Sequence, residues 1–279
     1  MLTLCGAIYG QAPCTPTVTG RLETIHFESK VFHNARTAWV WLPPGFDTAK
    51  RYPVLYVLDG ASAFDACIAF HHEELRADET LTELIGAGKI PALIAVGGDN
   101  GSDVVRNPDD NGARAREFLP YYDPTFPASR DPMGAAYPEF LEKEVMPAVA
   151  AKYPVAAGSG NATLCGASYG AVAAVNILVR RPEIFGRVVL ESPSIQAGNG
   201  QMLRDTMNLV ISPARIAVGI GTKELLPVGL VKQLADNLKG TTTRPQVQLN
   251  ITEGGTHDTK TFGTRLAAAL EFVYGTMKP

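Results

Sequence analysis

The stretch "LCGASYGAV", Leu164 to Val172, carries one serine among small residues, in the order Gly166-Ala167-Ser168-Tyr169-Gly170. The residues before it, "NATLCGA", form an apolar run that reads as a strand, and "AVAAVNILVRR" after it reads as a helix. A serine between glycines at a strand-to-helix junction fits the G-x-S-x-G elbow, where a sharp turn lifts the hydroxyl above the carboxyl edge of a sheet. Such a pattern also arises by chance in a glycine-rich chain, and this one has 27 glycines. Taken alone, the stretch leaves a nucleophile and a plain tight turn equally open, so its partners must decide.

Working outward, the flanking segments alternate strand and helix. "YPVLYVLDG" (52–60) and "PALIAVGGD" (91–99) are continuous apolar runs, as strands buried on both faces are, and the helical "ETLTELIGAGKI" lies between them. That βαβ unit implies parallel pairing with a right-handed crossover. Upstream, the alternating "ETIHFES" and "TAWVWLPP" read as an antiparallel edge, with Trp39 and Trp41 on one sheet face. Downstream come strands "RVVLES", "RIAVGIG" and "QVQLNIT", with helices "LVKQLADNLKG" and "FGTRLAAALEFVYG". "YPEFLEKEVMPAVAAKY" reads as a helix that Pro147 should kink or end. The expected fold is α/β: a doubly wound, mostly parallel sheet with an antiparallel N-terminal edge, in one domain over residues 21–279.

Bulk properties narrow the function classes. With 46% hydrophobic and 19% charged residues and a net charge of −3, the chain has a sizeable core and no basic block for nucleic acid. No apolar run approaches the ~20 residues of a membrane span. Residues 1–20 are set apart. Leu2 to Tyr9 is apolar and Gly10-Gln11-Ala12 suits a cleavage site, yet no basic region precedes them. An export-signal remnant and an unstructured start both fit, which leaves secreted, periplasmic and cytoplasmic locations open. Cys5 and Cys14 are a candidate pair in an exported chain, whereas Cys67 and Cys165 read as buried free thiols. His71 and His72 in "FHHEEL" would diverge by about 100° on a helix, which favours a solvated or packed helix over a metal site. No metal or cofactor is implied.

A serine hydroxyl needs a base, and in this architecture the chain order is serine, acid, histidine. Of five histidines only His257, in "TEGGTHDTKTF", follows Ser168. The acid should stand at a strand end between them. Glu224 follows "RIAVGIGTK" directly, whereas Asp236 lies inside a helix and is the weaker choice. The oxyanion donors expected by position are the backbone N–H groups of Tyr169 and Ala61. Between Asp99 and Met133 the periodicity disappears, and a loop of this length is usually functional. Its aromatics Phe118, Tyr121, Tyr122 and Phe126 suit either a substrate groove or anchors for the loop. Arg116 suits either a substrate contact or a structural ion pair.

These residues resemble a family. "YPVLYVLDG", "GKIPALIAVGGDNG", "REFLPYYDP", "GASYGAVAAVNILVRRPEIFGRVVLESPS" and "GTHD" are similar, in order and spacing, to an esterase family of α/β-hydrolases. That family includes feruloyl and acetylxylan esterases, siderophore trilactone esterases, S-formylglutathione hydrolases and mycolyltransferases. The resemblance spans about Ala38 to Val273. It implies Ser168 as nucleophile, His257 as base, Glu224 as acid, Ala61 and Tyr169 as the oxyanion hole, and a role for Arg116 and Glu117. Three departures stand out. "LDGASAF" lacks a His-Gly start, Tyr169 is bulky beside the serine, and Asp258-Thr259 replaces an aromatic residue after the histidine. Tyr121 and Asp258 are therefore further candidates for substrate contact. The expected reaction is hydrolysis of a small or carbohydrate-linked ester, aryl or short-chain, through an acyl-enzyme. The alternatives are an acyltransferase of mycolyltransferase type, a siderophore trilactone esterase, and a catalytically silent binding module.

Overall fold

The computed structural model describes residues 14–101, 111–207, 209–210 and 213–275. Eight strands form one sheet: β1 (Arg21–Ser29), β2 (Asn34–Leu42), β3 (Val54–Leu58), β4 (Ile94–Gly98), β5 (Ala162–Ala167), β6 (Arg187–Glu191), β7 (Arg215–Gly221) and β8 (Gln246–Thr252). Their spatial order is β1-β2-β4-β3-β5-β6-β7-β8. β1 and β2 pair antiparallel, β2 meets β4 antiparallel, and β3 to β8 run parallel. The mostly parallel sheet with an antiparallel N-terminal edge is thus as the sequence indicated.

The helices are α1 (Ala77–Gly86), α2 (Asn111–Phe118), α3 (Tyr137–Phe140), α4 (Met146–Lys152), α5 (Tyr169–Arg180), α6 (Ala197–Asp205), α7 (Val228–Lys239) and α8 (Thr259–Tyr274). They divide between the two faces of the sheet, which is why the central strands are apolar throughout. In β3, Val54, Tyr56 and Leu58 face the core shared with α2 to α7, while Leu55 and Val57 face the core shared with α1 and α8. Trp39 and Trp41 do lie on one face, with the α1/α8 side, and Trp41 donates its indole N–H to Thr19 O at 2.8 Å. The 137–152 helix is interrupted by a wide π turn at Leu141–Val145. It ends two residues before Pro147, which has no N–H for the carbonyl four residues back.

The structure corrects the sequence expectations for the cysteines and for His71 and His72. Cys67 is not a free thiol, because it forms a disulfide with Cys14; of the two cysteines read as buried thiols only Cys165 is one. Cys14 is thereby taken, and its other candidate partner, Cys5, lies outside the described residues. The end of the 1–20 segment is likewise tied down: Ala66 N–H donates to Thr17 Oγ1 at 2.9 Å, and Thr19 N–H donates to Asp78. Residues 1–13 lie outside the described residues. Finally, His71 and His72 occupy a single 3-10 turn with φ of 52° and 59°, not a helix face. Among the described residues no helix is long and apolar enough to cross a membrane.

Candidate active site

The elbow is built by steric necessity. β5 ends at Ala167, α5 begins at Tyr169, and Ser168 between them has φ 57° and ψ −122°. A non-glycine residue there carries roughly 1–3 kcal/mol of backbone strain that its surroundings must hold. The hold comes from both sides: Ser168 N–H donates to Glu191 O at 2.9 Å, and Ala171 N–H donates to Ser168 O at 3.1 Å. A Cβ on Gly166 would stand 2.3 Å from Gly170 O, so the strand can fold back onto the helix only with glycine.

Acid and histidine arrive on the two neighbouring loops. Glu224 follows β7, and His257 lies between β8 and α8. Thr222 N–H donates to Thr252 O (3.0 Å) and Lys223 N–H to Gly255 O (2.9 Å), which locks these loops together. They meet at two glycines, where a Cβ on Gly221 would stand 2.2 Å from Gly255 O. His257 Nδ1 lies 2.8 Å from Glu224 Oε2, and Nε2 lies 2.9 Å from Ser168 Oγ. An ionised Glu224 can only accept, so Nδ1 carries the proton and Nε2 is the acceptor facing the serine. Burial pushes the Glu224 carboxyl up, but donors from His257, Ser192 and the Gly221 amide outweigh it and hold the group below its ordinary range. The ring edge of His257 meets Phe262 at 5.2 Å. Ser168 Oγ is also 3.2 Å from Ser194 Oγ. Asp236, by contrast, sits exposed on α7, paired with Lys239 at 3.2 Å.

A cavity of about 330 Å³ opens at Ser168 and His257. Its apolar wall is Phe70, Leu75 and Phe262, and its polar side is Asp59, Asn100 and Arg114. Arg114 grips Asp59 through two bonds, Nε to Oδ1 at 2.6 Å and Nη2 to Oδ2 at 2.8 Å, and Asn100 Nδ2 donates to Asp59 Oδ1 at 2.6 Å. Ala61 also lines this space, in the 3-10 turn Gly60–Ser62. The amides of Ala61 and Tyr169 each fall in the first turn of a helix, among the donors that helix geometry leaves without an internal acceptor.

The remaining candidates separate. Tyr169 sends its hydroxyl to Asp123 Oδ2 at 3.0 Å and packs near Phe126, so its ring is held under the long loop. Asp258 borders the cavity, but its carboxylate caps α8 by accepting from Thr261 N–H at 2.8 Å and from the Thr256 hydroxyl. Arg116 is exposed and Tyr121 packs against Gly198; neither lines the cavity. Glu117 is buried and pairs with Arg36 at 2.9 and 2.5 Å. Phe118 packs edge-on against Tyr137 at 5.1 Å, as an anchor would. The sequence reading missed Asp59, Arg114 and Ser192. An aspartate ending an apolar strand and a second arginine two residues before Arg116 were the available signals.

Comparison with known proteins gives the family and the fold. The family model described as "Putative esterase" matches residues 29–273. The uncharacterised protein YbbA of Bacillus subtilis is 24% identical over 85% of this chain and 91% of its own length. Among solved structures, the BES protein from Bacillus cereus superposes with a TM-score of 0.74 at 18% identity, covering 95% of this chain and all of its own. A CE1 ferulic acid esterase from the fungus Anaeromyces mucronatus gives 0.68 at 22% identity, over 96% of this chain and 93% of its own. The enterobactin esterase of Shigella flexneri gives 0.72 at 20% identity over 94% of this chain, which spans 60% of that longer protein. These likenesses share the α/β-hydrolase fold. By the match over nearly its whole length, the chain belongs to this esterase family and is a carboxylic-ester hydrolase.

Proposed function

We propose that Ser168, His257 and Glu224 are the catalytic triad of this hydrolase, and that it acts on aryl (feruloyl-type) or short-chain acyl esters. The observation that carries the reading is His257 bridging Ser168 Oγ (2.9 Å) and Glu224 (2.8 Å) at the mouth of the cavity. Ser168 Oγ attacks the ester carbonyl carbon while its proton passes to His257 Nε2. The resulting oxyanion lies toward the Ala61 and Tyr169 amides; one such donor contributes about 3 kcal/mol to the transition state in related chemistry. Collapse breaks the bond to the alcohol oxygen, which leaves with the proton from His257. Water, deprotonated by the same nitrogen, then attacks the acyl-enzyme and releases the acid. Glu224 stays ionised and stabilises the imidazolium.

Two features support the substrate class and the acceptor. The apolar wall of Phe70, Leu75 and Phe262 suits an aromatic or short acyl group. The side chain of His257 is 35% exposed, which gives water access to the second step and favours hydrolysis over transfer to another alcohol. Steady-state kinetics on a panel of aryl and short-chain esters checks the reading. Ser168→Ala should lower kcat at least ~10⁴-fold and Glu224→Gln by about 10³- to 10⁴-fold, with Asp236→Asn within about twofold. Normal turnover by Ser168→Ala contradicts the triad, and a larger loss at Asp236 than at Glu224 reassigns the acid.

A further inference from the structure

Behind Glu224 runs a buried polar row that the three-residue chemistry does not itself call for. Glu191, the last residue of β6, is 1% exposed, and Arg265 on α8 is 4% exposed. Arg265 Nε donates to Glu191 Oε2 at 2.6 Å, and its Nη2 donates to Ser192 Oγ at 2.7 Å. Arginine only donates, so the Ser192 hydroxyl proton is directed to its other neighbour, Glu224 Oε1, at 2.6 Å. The direction of each bond from Glu191 to Glu224 is thereby fixed. Glu224 Oε1 also takes the Gly221 amide and stands 3.8 Å from Arg265 Nη2.

The backbone is shaped around this row. Ser192 has φ 45°, a left-handed conformation unusual for serine, and its N–H is held by Gly219 O at 2.9 Å. A Cβ on Gly219 would stand 2.2 Å from Glu191 Oε2 and 2.7 Å from Arg265 Nε, so the ion pair occupies the space that glycine leaves. Arg265 Nη1 is buried with no partner among the described residues. The guanidinium is therefore aimed at Glu191 and Ser192 rather than set to satisfy all its own donors. Stability is a poor account of such a pair, since apolar replacements of buried ion pairs are often neutral or stabilising.

We propose that Glu191, Arg265 and Ser192 form a positioning relay that fixes the orientation of the Glu224 carboxylate, and through it the tautomer and placement of His257. This rests on the triad reading above. None of the three relay side chains needs to touch substrate; each acts through Glu224.

Two variants separate positioning from mere support. Ser192→Ala removes the donor to Glu224 and keeps the ion pair. Glu191→Gln with Arg265→Met removes the pair without leaving a lone buried charge. Both should fold, with thermal midpoints near the parent, and KM within about twofold. In both, kcat should fall at least tenfold, the scale of a hydrogen bond to an ionised acceptor. The low-field proton resonance of His257 Nδ1–H should shift or vanish. A folded double variant with kcat within twofold and an unchanged resonance overturns the relay. Should that double variant not fold, Ser192→Ala decides by the same thresholds. Labelling by a fluorophosphonate, mapped by mass, keeps the two readings apart. An unlabelled Ser168 in the parent removes the triad reading and the relay with it. Parent-like labelling rates and kcat in both variants remove only the relay.

Discussion

Asp78 is a carboxyl in the wrong company. It is fully buried, lies beside Glu79, and its Oδ1 has no hydrogen-bond partner among the described residues. Burial, reinforced by Glu79, pushes its pKa up to about 7 against a hydrogen bond from the Thr19 amide. The folded state thus holds the proton more tightly than the unfolded chain. Its stabilising contribution is complete below about pH 4, the unfolded value, and is lost as pH rises through about 7. The thermal midpoint should fall between pH 5 and 8, and Asp78→Asn should flatten that slope and raise the midpoint at pH 8. A parent and variant with equal slopes would contradict it. The same scale shows what a sequence can and cannot reveal. His257 was legible because no other histidine follows Ser168, and Glu224 because a strand ends three residues before it. Arg114 was not. On α2 it stands about 200° around the helix from Arg116, and only the packed rotation of that helix says which one reaches the cavity.

At the scale of elements, the elbow depends on Gly166 more than on any side chain beside it. Gly166→Ala places a methyl against the Gly170 carbonyl and should cost about 3 kcal/mol or more, with activity lost alongside. Gly229→Ala, near the start of α7 with nothing within 4 Å, should be neutral or stabilise by about 0.5 kcal/mol. Urea unfolding of the two variants checks the contrast. The strands were readable because a doubly buried strand leaves an unbroken apolar run, as "VLYV" and "RIAVGIG" do. The one-turn helices of the 127–136 region and the π turn at Leu141–Val145 were not. Their short hydrogen-bond patterns leave no periodicity.

At the scale of the molecule, the Cys14–Cys67 disulfide joins the start of the described chain to the segment that forms the Phe70 wall of the cavity. Cysteine pairing depends on which loops the finished fold brings together, so spacing alone could not reveal it. The bond closes a loop of 53 residues. Cys67→Ser should therefore lower unfolding free energy by about 2–4 kcal/mol, less if the open chain keeps structure. Because the bond anchors the segment leading to Phe70 and lies apart from the Ser168–His257 contact, KM for bulky aryl esters should rise more than kcat falls.

The central assignment for this protein is Ser168 as nucleophile and His257 as its base. It is tested most directly by treating the folded protein with a fluorophosphonate and reading the adduct by intact mass and peptide mapping. One adduct per chain should form, on Ser168, and at least ~10³-fold more slowly in His257→Ala. No adduct, an adduct on another residue, or a rate indifferent to His257 would contradict it.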